Sequence, residues 1–351
     1  MSLYIDIEKT FPDFKLSVQL ECANEVFALL GSSGCGKSLT LKCIAGIEKP
    51  DRGRIIINEQ TVFDSEKGIN IPPQKRQVGY LFQNYALFPN MTVWDNIFCI
   101  SKKPKLERTA IVDGLIKSFQ LEGVKKLYPR QISGGQQQRA ALARILVSDP
   151  QILMLDEPFS ALDTHLKWQM EQEIAAVLAK FPGTTIFVSH NRDEAYRISD
   201  KIAVMDQGQI QSIGSKEAIF NNPQTLAAAL ITGVKNVSAA QKVDDFTVRA
   251  LDWGINLKTA DLVPDNLKHV AVRAHHLELM PLAAVGQDNQ FAGRLHNLIE
   301  EAFGKTLLFS FTAAEQSLGR LQLMLNNSQA SEFTGLELMV CIPPDKVICL
   351  V

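Results

Sequence analysis

Along the first two-thirds of the chain, short unbroken apolar runs alternate with longer stretches of helical pattern. EVFALL (Glu25–Leu30) reads as a buried strand, and KSLTLKCIAG after it as a helix that ends on Gly46. GRIIIN, QVGYLF, QILMLD, TTIFVS and KIAVMD are further strands, mostly short and β-branched, and helical stretches such as Thr164–Lys180 separate several of them. This alternation predicts a largely parallel sheet with helices on both faces. Residues 84–149 hold no convincing strand and predict a helical insertion. Beyond Asn236 the pattern changes. HVAVRAH, KTLLFSFT and ELMVCIP alternate apolar and polar positions between Gly and Pro, which predicts a small all-β domain. The expected domains are therefore 1–235 and 236–351.

Composition narrows the class. With 46% hydrophobic and 21% charged residues in 351, the chain can bury a sizeable core and is not disordered. Residues 236–351 carry 9 Lys+Arg against 13 Asp+Glu, a net of −4, which leaves 27 against 25 for the rest. Neither part has the basic footprint of a nucleic-acid binder. No stretch approaches the roughly 18 unbroken apolar residues of a membrane span. The start, MSLYIDIEKTF, has no basic segment followed by an apolar block, so no signal peptide is expected. Six cysteines without a C-x-x-C pair read as reduced, mostly buried thiols.

Two glycine runs and one acidic pair bear chemistry. GSSGCGKS sets Gly31, Ser32, Ser33, Gly34, Cys35, Gly36, Lys37 and Ser38 between a strand and a helix, with Leu39 next. Glycines let backbone N–H groups converge on phosphate oxygens, and the helix N-terminus adds positive potential. Lys37 supplies a charge to the β- and γ-phosphates, and the Ser38 hydroxyl a ligand for Mg²⁺. Cys35 is either a thiol activated by the helix N-terminus and Lys37 or a small residue filling a tight turn. QILMLDEP ends a strand on Asp156 and Glu157. Asp156 suits the Mg²⁺ partner of a phosphate loop, and Glu157 a proton acceptor for water. The other reading is a solvated acidic turn. Ser133, Gly134 and Gly135 open a second helix at Gln136, with Arg139 and Arg144 farther along. That run is a simple N-cap, or a second anion site that closes over nucleotide held by another copy of the chain.

The ordered set GSSGCGKS, ISGGQ, ILMLDE, SALD (Ser160–Asp163) and His190 in FVSH resembles the ATP-binding subunits of ABC transporters over roughly residues 1–235. Ile132 stands where the family usually has Leu. The resemblance implies an α/β P-loop ABC ATPase domain with a helical subdomain, followed by a small all-β C-terminal domain like an oligonucleotide/oligosaccharide-binding barrel. It implies ATP and Mg²⁺ as ligands, and a homodimer. The expected partners are two integral-membrane permease subunits and an extracytoplasmic substrate-binding protein, at the cytoplasmic face of the inner membrane. Gln83 in YLFQNYALFP matches the loop glutamine that senses Mg²⁺ and γ-phosphate, or is a surface residue at a strand end. His190 matches the switch histidine, or caps the following helix. Asp163 matches the residue that ties the dimer halves together. Phe11 resembles the adenine-stacking aromatic, with Phe14 as its rival. Leu87, Phe88 and Pro89 in Asn84–Met91 fall where the family docks its membrane subunits, or pack within the domain.

DSEKGINIPPQKRQVGYLFQNYALFPNMTVWDNI resembles the molybdate importers most, through the inserted SEKGI. Sulfate, polyamines, ferric iron and sugars are the rival cargoes. The barrel stretch VGQDNQFAGRL keeps Asn289 but has Gly286 and Asp288 where Ser and Arg would help. An acid there repels an oxyanion, so regulatory molybdate binding is not expected. The usual Arg-Pro-Glu-like turn is replaced by Arg273-Ala274-His275-His276, whose histidines have no third metal ligand at plausible spacing. A non-transport ABC ATPase would need a long coiled coil between the glycine runs, and no sustained heptads occur there. A P-loop kinase would lack ISGGQ and His190.

Overall fold

A computed structural model describes residues 2–101, 103–160, 164–281, 288–312, 320–326 and 337–351. The chain forms two compact units, Met1–Lys216 and Glu217–Val351. The first opens with β1 (Leu3–Phe11), β2 (Phe14–Cys22), β3 (Val26–Gly31) and α1 (Lys37–Ala45). Then come β4 (Arg52–Ile57), β5 (Gln60–Asp64), β6 (Ile69–Asn70) and β7 (Val78–Leu81). The helical insertion holds α2 (Val93–Phe98), α3 (Lys105–Ser118) and α4 (Gly134–Leu146), with no strand among its described residues. The unit ends with β8 (Ile152–Asp156), α5 (Thr164–Leu178), β9 (Thr184–Ser189), α6 (Arg192–Ile198), β10 (Lys201–Asp206) and β11 (Gln209–Ser215).

These eleven strands form one sheet in the order β6-β5-β4-β1-β2-β11-β10-β3-β9-β8-β7. The run β10-β3-β9-β8-β7 is parallel. On the other flank β6-β5-β4-β1-β2 is antiparallel, and β11 pairs antiparallel with β10 but parallel with β2, so the expectation of a largely parallel sheet holds for only part of it. The cause is local. β1 and β2 are joined by only Pro12 and Asp13, too short for a parallel crossover. Asn58 and Glu59 both take left-handed φ, 43° and 67°, and turn β4 back on β5. β8 and β9 are buried at every position, as expected of strands covered on both faces. The inserted SEKGI forms the turn between β5 and β6 at one edge of the sheet, where the Asp64 carboxylate accepts from the Glu66 and Lys67 amides.

The second unit contains two five-stranded sheets around one core that includes Trp253, Leu257, Leu307, Phe309, Leu323 and Val340. Their described strand pairs are all antiparallel, in keeping with an added C-terminal barrel. Helix Leu226–Ile231 lies in this unit. Its Ala229 packs with Ala271, Ile348 and Leu350 of the β-rich part, so apolar contact groups it with the strands that follow.

Candidate functional site

The phosphate loop leaves β3 and enters α1. Its first glycine sits where backbone meets backbone: a Cβ on Gly31 would lie 2.3 Å from the Met205 carbonyl oxygen. Gly36 has φ 106° and caps α1, a conformation that L side chains rarely adopt. A Cβ there would also press on Leu16 and Phe14. At both positions the surrounding fold leaves no room for a side chain. Lys37 is buried, and its ammonium donates to the Gly31 and Ser32 carbonyls at 2.9 and 2.7 Å.

Parallel pairing carries β8 to the same edge. Ser38 Oγ donates to Asp156 Oδ1 at 2.7 Å, and Tyr80 on β7 donates to Oδ2 at 2.8 Å. Burial and the adjacent Asp156 push the Tyr80 phenol well up, so it stays a donor. Asp156 is therefore buried, oriented and no solvated turn. Glu157 adopts φ 45°, its amide donates to Val188 O, and its carboxylate turns toward the end of β9. There His190 Nδ1 lies 3.1 Å from Glu157 Oε2, with the imidazole side chain 52% exposed. Asn191, and not His190, caps α6, accepting from the Asp193 and Glu194 amides. Gln83 Nε2 donates to Ser160 Oγ, which donates in turn to the Glu157 carbonyl.

Ser33, Gly34, Gly36, Lys37, Ser38, Leu39, Gln83 and Glu157 line one cavity of about 490 Å³, together with Phe14. The Phe11 ring stands beside Phe14, 6.5 Å between centroids, and is 39% exposed. Of the two rings, Phe14 lines the cavity. Cys35 is buried, and burial raises its thiol pKa against the opposing pull of Lys37. Burial therefore weighs against an activated thiol and favours the small residue in a tight turn. The loop fits a triphosphate with Mg²⁺: Gly31, Gly34 and Gly36 free its backbone, Lys37 brings an ammonium to it, and Ser38 with Asp156 pairs a hydroxyl and a carboxylate.

Ser133, Gly134, Gly135 and Gln136 lie elsewhere on the unit, at the start of α4. Ser133 and Gln136 form a reciprocal capping box, and Ser133 and Gly134 are exposed. Asp163 lies outside the described residues. In the next loop Tyr85 and Ala86 both take left-handed φ, and Arg144 of α4 donates to their carbonyls at 3.0 and 2.8 Å. Phe88 and Pro89 are exposed and Leu87 half-buried. Sequence reasoning missed the roles of Tyr80, Ser160 and Arg144, whose partners lie far away in the chain.

In the second unit Asn289 is occupied structurally. Its amide clamps the Lys258 backbone, accepting from N–H at 2.7 Å and donating to C=O at 2.8 Å. Asp288 pairs with the Lys258 ammonium at 2.7 Å. Gly286 lies outside the described residues. The His275 and His276 rings meet edge-on, and no group of three metal-ligating side chains occurs among the described residues.

Residues 15–160 match the family model described as ABC transporter. The chain is 41% identical over 284 residues to the spermidine/putrescine import ATP-binding protein PotA of Clostridium novyi, covering 79% of this chain and 80% of that relative. It is 36% identical over 282 residues to the Fe(3+) ions import ATP-binding protein FbpC 2 of Haemophilus influenzae, covering 80% and 78%. With the trehalose/maltose import ATP-binding protein MalK of Thermococcus litoralis it shares 40% over 235 residues, 65% of this chain and 63% of that one. Among solved structures, the dimeric post-hydrolysis ATP-binding cassette MJ0796 bound to ADP and Pi superposes with a TM-score of 0.52 at 25% identity, covering 62% of this chain and 99% of that one. Phosphate loop, paired carboxylates and these likenesses agree, and the chain belongs to the ATP-hydrolysing, import-type ATP-binding subunits of the ABC transporters.

Proposed function

We propose that this chain drives uptake of an oxyanion, molybdate, by hydrolysing MgATP between two copies of itself. One observation carries the ATPase half: Lys37, Ser38, Gln83 and Glu157 share one cavity, with Asp156 and His190 hydrogen-bonded or ion-paired to members of that set. Loop amides and Lys37 hold the β- and γ-phosphates. Ser38, Asp156 and Gln83 would hold Mg²⁺, which when bound offsets phosphate charge. Glu157 accepts a proton from the attacking water, and His190 orients that water. Phe14 or Phe11 stacks on adenine.

The exposed Ser133 run closes the site from the other copy, together with Gly135 and Asp163. Support comes from its exposure at a helix N-terminus and from the dimeric state of the MJ0796 relative. Residues 1–235 act as the ATPase domain and 236–351 as a regulatory domain. Import subunits of this family work with membrane permeases and a substrate-binding protein, and no described helix is long and apolar enough to cross a membrane. Phe88 and Pro89, presented on a loop pinned by Arg144, form the docking face for two permease subunits at the inner side of the membrane.

Molybdate rests on the inserted SEKGI alone. A second reading, a polyamine, is favoured by the PotA relative. Uptake of labelled molybdate and labelled spermidine, given separately to cells with wild-type or Lys37→Ala protein, tests both. Loss of molybdate uptake alone supports the first reading, and loss of spermidine uptake alone the second. Loss of neither removes both cargoes.

A further inference from the structure

The end of α3, α4 and α5 enclose a second cavity of about 480 Å³, none of whose walls belongs to the phosphate-loop cavity. That volume suits a small organic ligand. Leu142, Ile174 and Val177 give it apolar walls, and Arg139, Glu173 and Lys180 are its charged groups. Two lysine or arginine charges face one carboxylate, so the lining is net positive.

Arg139 is poorly satisfied. Its Nη1 reaches the two Glu173 oxygens only at 3.4 Å each. Its Nε is buried and has no hydrogen-bond partner among the described residues. A buried N–H without an acceptor costs free energy, which an acceptor would recover once the side chain turns its Nε to the cavity. A guanidinium also offers a carboxylate two parallel donors.

We propose that this cavity binds a small monocarboxylate with an apolar tail. The carboxylate meets the Arg139 guanidinium, and the tail lies among Leu142, Ile174 and Val177. The site bears on the second glycine run. Met170 also lines the cavity, and its Sδ is 3.4 Å from where a Gly135 Cβ would stand. A ligand that fixes Met170 therefore acts on the backbone that closes over nucleotide, a consequence that rests on the function proposed above.

The test is calorimetric titration of the full-length chain, without nucleotide, with octanoate and with octanol. The expected result is saturable one-to-one octanoate binding at least about ten-fold tighter than octanol. Arg139→Met should erase that difference, and Ala176→Trp at the mouth should weaken octanoate at least about ten-fold. No saturable octanoate binding, equal octanol binding, or an unaffected Ala176→Trp protein would overturn the site. Lys37→Ala should bind octanoate normally, so failure of the nucleotide reading leaves this result intact. Saturating octanoate should change wild-type ATP turnover at least about two-fold, and unchanged turnover despite binding would overturn the link to Gly135.

Discussion

The imidazole of His190 and the carboxylate of Glu157 meet at 3.1 Å, across the ends of two adjacent parallel strands. Neither position is arbitrary. Glu157 takes a left-handed backbone that costs on the order of 1–3 kcal/mol for a non-glycine residue, and its amide is tied to Val188. His190 directly follows the last residue of β9. On the proposed mechanism, His190→Ala should lower ATP turnover about 100-fold with little change in ATP affinity. Paired turnover and nucleotide-binding measurements check this, and an equal loss in both would move His190 to a binding role.

Arg144 links the second glycine run's helix to the loop after Gln83. Its guanidinium holds two carbonyls from left-handed residues and lies 5.2 Å from the Phe88 ring centre. Burial lowers the guanidinium pKa, as expected of a charge drawn out of water, yet it faces no carboxylate among the contacts that hold it. Arg144→Ala should free Tyr85 and Ala86, raising amide exchange in residues 84–91 and lowering transport per ATP hydrolysed. Unchanged exchange there would show that the loop needs no tether.

Gln138 is fully buried in α4, and neither its amide oxygen nor its nitrogen has a hydrogen-bond partner among the described residues. Burying an unpaired amide costs about 1–3 kcal/mol by mutational measure. Gln138→Met keeps the length and removes the polar atoms. It should stabilise the protein by about 1–2 kcal/mol, read as a higher midpoint in denaturant. A lower midpoint would mean that the amide is satisfied in solution.

Burial, and then His275, Lys346 and Arg273, push the His276 pKa down to about 4, with Asp345 opposing weakly. The unfolded chain binds this proton near the ordinary histidine value of 6.5, well before the folded one does. The stability that neutral His276 contributes is present above about pH 6.5 and falls away as pH drops toward 4. Thermal unfolding between pH 7 and 4 should lose less stability in His276→Gln than in wild type. Parallel pH profiles would remove His276 from the account.

How legible this was depended on the range of each interaction. Buried parallel strands such as ILMLD and TTIFVS announce themselves, because both faces are covered and their apolar residues run unbroken instead of alternating. LYIDIEKTF alternates instead, with Tyr4, Asp6 and Glu8 on its open face, and its pairing was decided by a two-residue turn. Asn58-Glu59 makes a tight left-handed turn without the glycine that would have flagged it. The phosphate loop and acidic pair were readable because their chemistry is contiguous. Tyr80, Ser160 and Arg144 were not, since their partners lie 76, 77 and 58 or 59 positions away. Phe11 and Phe14 are directly opposed across the β1–β2 hairpin and share a face, so sequence alone could not say that Phe14 is the ring lining the cavity.

The central claim is that Glu157 drives hydrolysis at a site shared by two copies. Light scattering of Glu157→Gln protein with saturating MgATP tests it most directly. The account predicts a stable dimer and ATP turnover about 100-fold below wild type. A monomer under those conditions, hydrolysing ATP at the wild-type rate, would contradict it.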